Sequence, residues 1–274
     1  MSQASEREVI VGIWNGMADS YDAYRPRTPA ALLDLLPQLA HVTRPRLVVD
    51  LGCGTGLSTY AWAERADEVI GIDPNDDMLA QAASKGAGTG SLAHVAFRAG
   101  LSHATGLPDA CADLVTASQS LHWMDAQPTF AEVARILRPG GVFAAYDYDW
   151  PPVITPETDQ LYSDFKQVLD PLFAGFPVDL GFGLGEIKSG HLDRIQQSGV
   201  FRLVREIGIH SMEQGDADRF MGLMLSNSAA IFMQHGFVTA QQLRLDEFRA
   251  RAADLFAADA PPWYLSYRVR YGVK

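Results

Sequence analysis

The chain reads as a doubly wound α/β protein, with a mostly parallel seven-stranded sheet and a helical cap. Three observations predict this. Short β-branched runs alternate with helical patterns from Arg46 onward. A glycine-rich turn, Asp50-Leu51-Gly52-Cys53-Gly54-Thr55-Gly56, joins the first such run to the first helix. After Trp150 the alternation gives way to longer helical stretches, interrupted by two more strand-like runs. Strands separated by helices of this length need crossover connections, hence a parallel sheet with helices on both faces.

Each element follows from local pattern. Arg46–Leu51 (RLVVDL) is a compact apolar run suited to a strand buried on both faces. Leu57–Arg65 reads as a helix and Glu68–Asp73 (EVIGID) as the second strand. Pro74 to about Lys85 reads as the next helix, with proline near its first turn. Leu92–Arg98 and Ala112–Ser118 are the third and fourth strands. Pro128–Leu137 is a helix that stops at Arg138-Pro139-Gly140-Gly141, because proline and glycine do not continue it. Gly141–Tyr148 is the fifth strand.

Beyond Trp150 come a helix near 157–172, a glycine-rich turn at Gly181–Gly185 and a helix near 186–198. Val200–His210 reads as a strand, 213–258 as mostly helical and Trp263–Tyr271 as a final strand. The expected organisation is an N-terminal helical segment over 1–45 and a core over 46–150. Inserts at 151–199 and 211–258 form the cap, and strands within 200–210 and 262–274 complete the sheet. If the strands before both inserts are parallel members, both inserts leave from the carboxyl edge, where open α/β sheets bind ligands.

Composition narrows the function classes. Of 274 residues, 47% are hydrophobic and 20% charged, which suits an ordinary globular protein with a sizeable core. The formal net charge of −11 is spread along the chain, which disfavours nucleic acid as a partner, since such binding needs clustered Lys and Arg. Cys53 and Cys111 form neither a metal spacing nor a disulfide framework. No run approaches the roughly 20 apolar residues of a membrane span, and the N-terminus lacks a signal-peptide pattern. A cytoplasmic protein acting on a small molecule is the expectation.

The glycine loop carries the chemistry. Glycines at alternate positions let the backbone turn sharply and approach a ligand closely, and the following helix offers free N–H groups at its start. The dinucleotide fingerprint Gly-x-Gly-x-x-Gly is not met, because Leu57 or Thr59 stands where its third glycine belongs. Asp73, at the end of the second strand, is placed to accept hydrogen bonds from ribose hydroxyls, or to cap the helix after Pro74.

The pattern Asp-x-Gly-x-Gly-x-Gly, with Asp113–Ser118 as fourth strand and Leu137-Arg-Pro-Gly-Gly141 before the fifth, resembles the class I S-adenosylmethionine (SAM) methyltransferases. The resemblance covers residues from about 14 to 150. It implies SAM as cofactor, with S-adenosylhomocysteine as product. It implies that the loop from Asp50 to Gly56 holds the cofactor, with Gly52, Cys53, Gly54 and Gly56 at the methionine part and Asp73 on the ribose. Pro74 and Met78 would pack on the adenine, and Gly100, Leu101 and Ser102 would reach its edge. Many members have an aspartate after the third strand; here Gly100-Leu101-Ser102 stands there, so the adenine contact comes from Ser102, from backbone or from elsewhere.

The stretch Ser118-Gln119-Ser120-Leu121-His122-Trp123 ends the fourth strand, at the edge that faces a ligand crevice. A titratable ring beside a large flat surface suits a substrate site; equally, Trp123 can plug the sheet edge while His122 bonds to backbone. Leu-His-Trp here is similar to the trans-aconitate methyltransferase branch, whose relatives act on small carboxylic acids. That resemblance implies His122 and Trp123 as catalytic and substrate-binding residues, Ser118 and Gln119 beside the cofactor, and Tyr21 and Arg25 closing over it. It also implies a substrate contact from Ser226, within Met221–Ser228. Tyr21 and Tyr24 can instead be packing residues.

In the fifth strand, Tyr146, Tyr148 and Trp150 share one face and Asp147 and Asp149 the other, and one set should line the pocket. Two carboxylates without further ligand spacing do not make a metal site, and surface or capping roles suit them better. O-methylation of a carboxylate needs no general base, whereas a phenol, ring nitrogen or carbon acceptor would use His122 as base. An RNA or protein methyltransferase and a non-catalytic SAM-binding module are the competing classes.

Overall fold

The computed structural model describes residues 12, 22–86, 92–173, 188–226, 229–257 and 261–274. Tyr21, Ser228 and the Gly181–Gly185 turn lie outside the described residues. The described elements are α1 (Ala30–Leu39), β1 (Leu47–Leu51), α2 (Leu57–Ala61), β2 (Glu68–Asp73), α3 (Asp76–Gly86), β3 (Val95–Ala99) and β4 (Ala112–Ser118). A 3-10 turn (Leu121–Trp123) leads to α4 (Ala126–Ile136), β5 (Leu137–Tyr148), α5 (Pro156–Phe173), α6 (His191–Gln197) and β6 (Leu203–Glu213). α7 (Ala217–Leu225), α8 (Ala229–Gln234), α9 (Leu245–Phe256) and β7 (Trp263–Val273) complete them.

The seven strands form one sheet in the order β3-β2-β1-β4-β5-β7-β6. β1 pairs in parallel with β2 and β4, β2 with β3, and β4 with β5. β7 runs antiparallel to β5. The chain winds outward from β1 to β3 and then crosses to β4, which makes the carboxyl ends of β1 and β4 the topological switch point. The doubly wound, mostly parallel sheet is as expected. Every residue of β1 is buried, and β4 is buried up to Ser118, whereas β3 at the sheet edge is half exposed. Beneath the central strands, Phe143 stacks on Phe201 with ring centroids 5.8 Å apart, and Phe130 sets its edge against both. Burial of each such ring contributes roughly 1.5–3 kcal/mol.

Differences from the expected boundaries have local causes. The helix expected to start at Pro128 begins at Ala126, because the first helical N–H groups lack partners anyway and a proline in the first turn costs no hydrogen bond. β5 starts at Leu137 rather than Gly141: the pairing shifts register between Ala112–Leu137 and Leu114–Val142, and Arg138-Pro139-Gly140-Gly141 is taken up as an irregularity within the strand. α2 ends at Ala61 instead of Arg65, tightening through Trp62 N–H to Thr59 and Ala63 N–H to Tyr60 carbonyls. Asn75 rather than Asp73 caps α3, its Oδ1 accepting from Met78 N at 3.0 Å.

The chain divides into two compact units. One comprises 27–148, 183–209 and 267–274 and holds the body of the sheet. Residues expected in an N-terminal segment ending at 45 are thus grouped with the sheet from 27 onward. The other unit comprises 1–26, 149–182 and 210–266 and is mainly helical. Within it Phe165 of α5 meets Phe248 of α9 edge-on at 5.3 Å, and Phe220, Phe256 and Trp263 form an aromatic cluster. Tyr24 lies flat on Gly222, where an added Cβ would come within 2.3 Å of its ring. Arg25 Nη2 donates to the Ser226 carbonyl at 2.6 Å, so this N-terminal pair is bound to α7. No helix among the described residues is long and apolar enough to cross a membrane.

Candidate active site

The loop after β1 has all three glycines in the left-handed region, with φ of +63° at Gly52, +53° at Gly54 and +82° at Gly56. Their needs differ. A Cβ on Gly52 would lie 2.6 Å from Ser120 Cβ, and one on Gly56 2.8 Å from the Phe97 ring. A Cβ on Gly54 would meet nothing within 4 Å, so the middle of the loop faces open space that a ligand can occupy. Gly52 N and Cys53 N donate to the Ile72 carbonyl at 2.8 and 3.2 Å, and Lys85 Nζ donates to the Thr55 carbonyl at 2.7 Å.

Asp73 sits beside this loop. Its Oδ2 accepts from Gly54 N at 2.8 Å and its Oδ1 from Asn75 N at 2.9 Å. Burial pushes its carboxyl pKa up, and these two backbone donors pull it back. The carboxylate therefore stands at the β2 end with two fixed donors and spare lone pairs. Met78 is buried one turn on, Pro74 is exposed, and Gly100 N donates to the Asp73 carbonyl at 3.1 Å. Leu101 is exposed, and the Ser102 hydroxyl shares a hydrogen with Thr129 Oγ1 at 2.7 Å.

Asp50 has a different place from the one expected. It is fully buried, with Oδ1 accepting from Thr116 Oγ1 and Oδ2 from Thr59 Oγ1, each at 2.8 Å. Both oxygens face inward, so Asp50 braces the loop against α2 and β4 instead of meeting a ligand. Burial raises its pKa to about 6. Cys53 is also buried, and burial pushes its thiol up.

At the end of β4, Gln119 holds a φ of +52°, unusual for a residue with a side chain. Ser120 Oγ donates to the Leu51 carbonyl at 2.8 Å, tying this segment to the glycine loop. His122 and Trp123 follow on the 3-10 turn with ring centroids 5.2 Å apart. His122 Nδ1 lies 4.0 Å from Asp147 Oδ1.

Asp147 belongs to neither the surface nor a cap, contrary to the sequence expectation. It is buried in β5, and Arg270 of β7 approaches its Oδ2 at 3.1 Å while also donating to Glu206 at 2.6 Å. Lys188 Nζ lies 3.3 Å from Asp147 Oδ1 and donates to Gln119 Oε1 at 2.8 Å. His191 Nε2 lies 3.9 Å from Asp147 Oδ2. Arg194 Nη2 stands 2.7 Å from His191 Nδ1; since arginine only donates, the neutral ring carries its hydrogen on Nε2. Burial, aided by Arg194, Arg270 and Lys188, pushes the His191 pKa down to about 3.

Lys188, His191 and Arg270 were not singled out from the sequence. The signal available was Asp147 itself, a charge at an inward position of a buried strand, which requires a partner. His122, Asp147 and His191 bring potential ligand atoms within 4.8 Å of one another. Two cations already face that carboxylate, however, and Arg194 occupies the free lone pair of His191. The set is a charge network that opposes a divalent cation.

Tyr146 and Tyr148, expected to line a pocket, are both buried. Tyr146 shares a hydrogen with Ser58 Oγ at 2.5 Å, and burial raises its pKa to about 12. Tyr148 sets its ring edge-on to Tyr267. Ser226 is buried in the helical unit, its hydroxyl donating to the Leu223 carbonyl at 2.9 Å.

Strand order, switch point and glycine loop fit the class I methyltransferase fold. Residues 49–145 match the family model described as a methyltransferase domain. The chain is 34% identical over 128 residues to a trans-aconitate 2-methyltransferase of Acidovorax ebreus, covering 45% of this chain and 46% of that protein. It is 36% identical over 123 residues to a methyltransferase of uncharacterised activity from Mycobacterium bovis, covering 44% and 46%. The chain thus spans about half the length of the curated relatives it matches. The likeness to the trans-aconitate enzymes agrees with the branch suggested by Leu121-His122-Trp123. A candidate type II methyltransferase from Anaeromyxobacter dehalogenans has the same fold, with a TM-score of 0.63 at 24% identity over 91% of this chain and 98% of that one. YcgJ of Bacillus subtilis has a TM-score of 0.52 at 20% identity over 90% and 99%. At these identities the structural likeness carries the fold alone.

Proposed function

We propose that this chain transfers the methyl group of SAM to a small carboxylic acid, giving the methyl ester and S-adenosylhomocysteine. The observation that carries the cofactor assignment is the open face at Gly54, flanked by a carboxylate whose orientation is set by the loop's own N–H. The residues fit the group: the backbone of 52–56 takes the amino acid part, Asp73 the ribose hydroxyls, and Met78 with the backbone at Gly100 and Leu101 the adenine. When bound, SAM supplies an electrophilic methyl group on a sulfonium that leaves as a neutral thioether.

The protein's own residues align the acceptor and keep water out. A carboxylate is already a nucleophile, so His122 and Trp123 need only orient it. The likeness to trans-aconitate 2-methyltransferases supports an acid as acceptor. The net charge of −11 weighs against a nucleic-acid substrate. A second reading has specific support: the His122 imidazole lies beside a buried carboxylate, with Nδ1 4.0 Å from Asp147 Oδ1, and a ring of this type can take a proton from a hydroxyl or ring N–H. The test is a transfer assay with methyl-labelled SAM across carboxylic acids, including trans-aconitate, and across phenols and heterocycles. Label in a base-labile ester supports the carboxylate reading. Label only in base-stable products sinks it, and failure of calorimetry to detect S-adenosylhomocysteine binding sinks the cofactor assignment.

A further inference from the structure

A carboxylate acceptor calls for a cation, and none of the residues that the sequence implied for the acceptor supplies one: His122, Trp123, Tyr146, Tyr148 and Ser226 carry no permanent charge. Among the described residues, the charged groups linked to Asp147 directly or through its partners include Lys188, Arg194, Glu206 and Arg270, with the His122 and His191 rings beside them. Arg270 is enclosed, 2% exposed, between Asp147 and Glu206. Arg194 is directed at His191. Lys188 differs: its side chain is 24% exposed, and its ammonium is held at a defined point by Gln119 Oε1 and Asp147 Oδ1.

That point is linked to the glycine loop through Gln119 and its neighbour Ser120. Lysine only donates, so the Gln119 amide must turn its oxygen toward Lys188, which fixes the orientation of the Gln119 side chain. Gln119 is itself in a left-handed conformation, a strain that persists where the surroundings over-determine it. The next residue, Ser120, bonds to the Leu51 carbonyl and abuts Gly52. Asp147 is in turn braced by Arg270, so the lysine is aimed by a rigid carboxylate.

We propose that Lys188 is the specificity-determining residue of the acceptor site: its ammonium, aimed by Asp147 and Gln119, binds the carboxylate of an anionic acceptor. This rests on the carboxylic acid reading above. The roles divide: Lys188 touches the acceptor, while Asp147 and Gln119 are positioning residues. A point-like ammonium attracts carboxylates and phosphates alike, so the test carries both.

Protein saturated with S-adenosylhomocysteine is titrated calorimetrically with succinate, citrate and trans-aconitate, and separately with pyrophosphate. Lys188→Met should weaken binding of the tightest carboxylate at least ~10-fold, while Lys188→Arg stays within about 3-fold, as expected for a charge-assisted contact. Affinity for S-adenosylhomocysteine should shift less than about 2-fold in both variants, which also shows that they fold. Equal carboxylate binding by wild type and Lys188→Met overturns the role of Lys188 and leaves the carboxylic acid reading standing. Tighter binding of pyrophosphate than of any carboxylate overturns the carboxylate assignment. Absence of any carboxylate binding by the wild type overturns the proposal, and turnover of a neutral acceptor by that same protein overturns the carboxylic acid reading as well.

Discussion

The glycine loop and the Asp147 network lie in the same unit and both use a buried aspartate, yet they are built differently. Asp50 and its threonine partners come from β1, α2 and β4, and the carboxylate is satisfied by neutral hydroxyls alone. Asp147 is surrounded by cations and imidazoles from β7, α6 and the segment before it, and the turn after β4. The first arrangement stiffens a backbone that must hold a shape. The second concentrates charge, which costs desolvation and is kept where charge has a use.

The largest effect should come from spoiling the loop's shape. Gly52→Val adds a side chain at φ +63° and against Ser120; calorimetry should show S-adenosylhomocysteine affinity reduced at least ~100-fold, since strain and clash act together. Retention of near-normal affinity would mean that the loop is not the cofactor cradle. Asp147→Ala removes one carboxylate from Arg270 and an ion-pair partner from Lys188, and should cost about 3–5 kcal/mol in chemical denaturation. A loss under about 1 kcal/mol would show that the network is not the buried unit described.

The two regions should also respond to pH in opposite senses. The pKa of Asp50 is raised on folding to about 6, so the stability tied to its neutral form is present below about pH 4 and lost as pH rises through 6. His191 is depressed to about 3, so the stability tied to its neutral ring is present above about pH 6.5 and lost as pH falls toward 3. Denaturant melts of Asp50→Asn and His191→Gln across pH 4–8 should each flatten one of these slopes, by roughly 2–3 kcal/mol across the window. Parallel pH profiles for wild type and both variants would refute the assignment. The smallest change is expected from Tyr146→Phe, which removes the bond to Ser58 and should lower stability by about 1 kcal/mol while turnover stays within about 2-fold. A large fall in turnover would return Tyr146 to the substrate pocket.

Legibility follows the same division. β2 and β4 run from the residues expected, and the loop between β1 and α2 carries its glycines at the strained positions their spacing implies. Such features are local: a strand, a turn and a helix start are written in consecutive residues. Asp73 was read as both ribose ligand and helix cap, and the structure passes the cap to Asn75, two positions on, because β2 runs through Asp73 itself. Asp147 was misplaced because alternation in a strand reports only which side a residue faces, not what waits there. Lys188 and His191 sit in or beside a short helix with no motif of their own, and Arg270 in the closing strand reads as an ordinary alternating position.

By itself the sequence determined the α/β class, the glycine loop between β1 and α2 and the aspartate at the end of β2, because each depends on spacing within a few residues. Only the tertiary structure turned Asp50 inward, buried the fifth-strand tyrosines and gathered Asp147, Lys188, His191 and Arg270 at one point. Those outcomes depend on which strands become neighbours in the sheet, where residues from 147 to 270 meet across a few ångströms and desolvation forces each charge to find a partner.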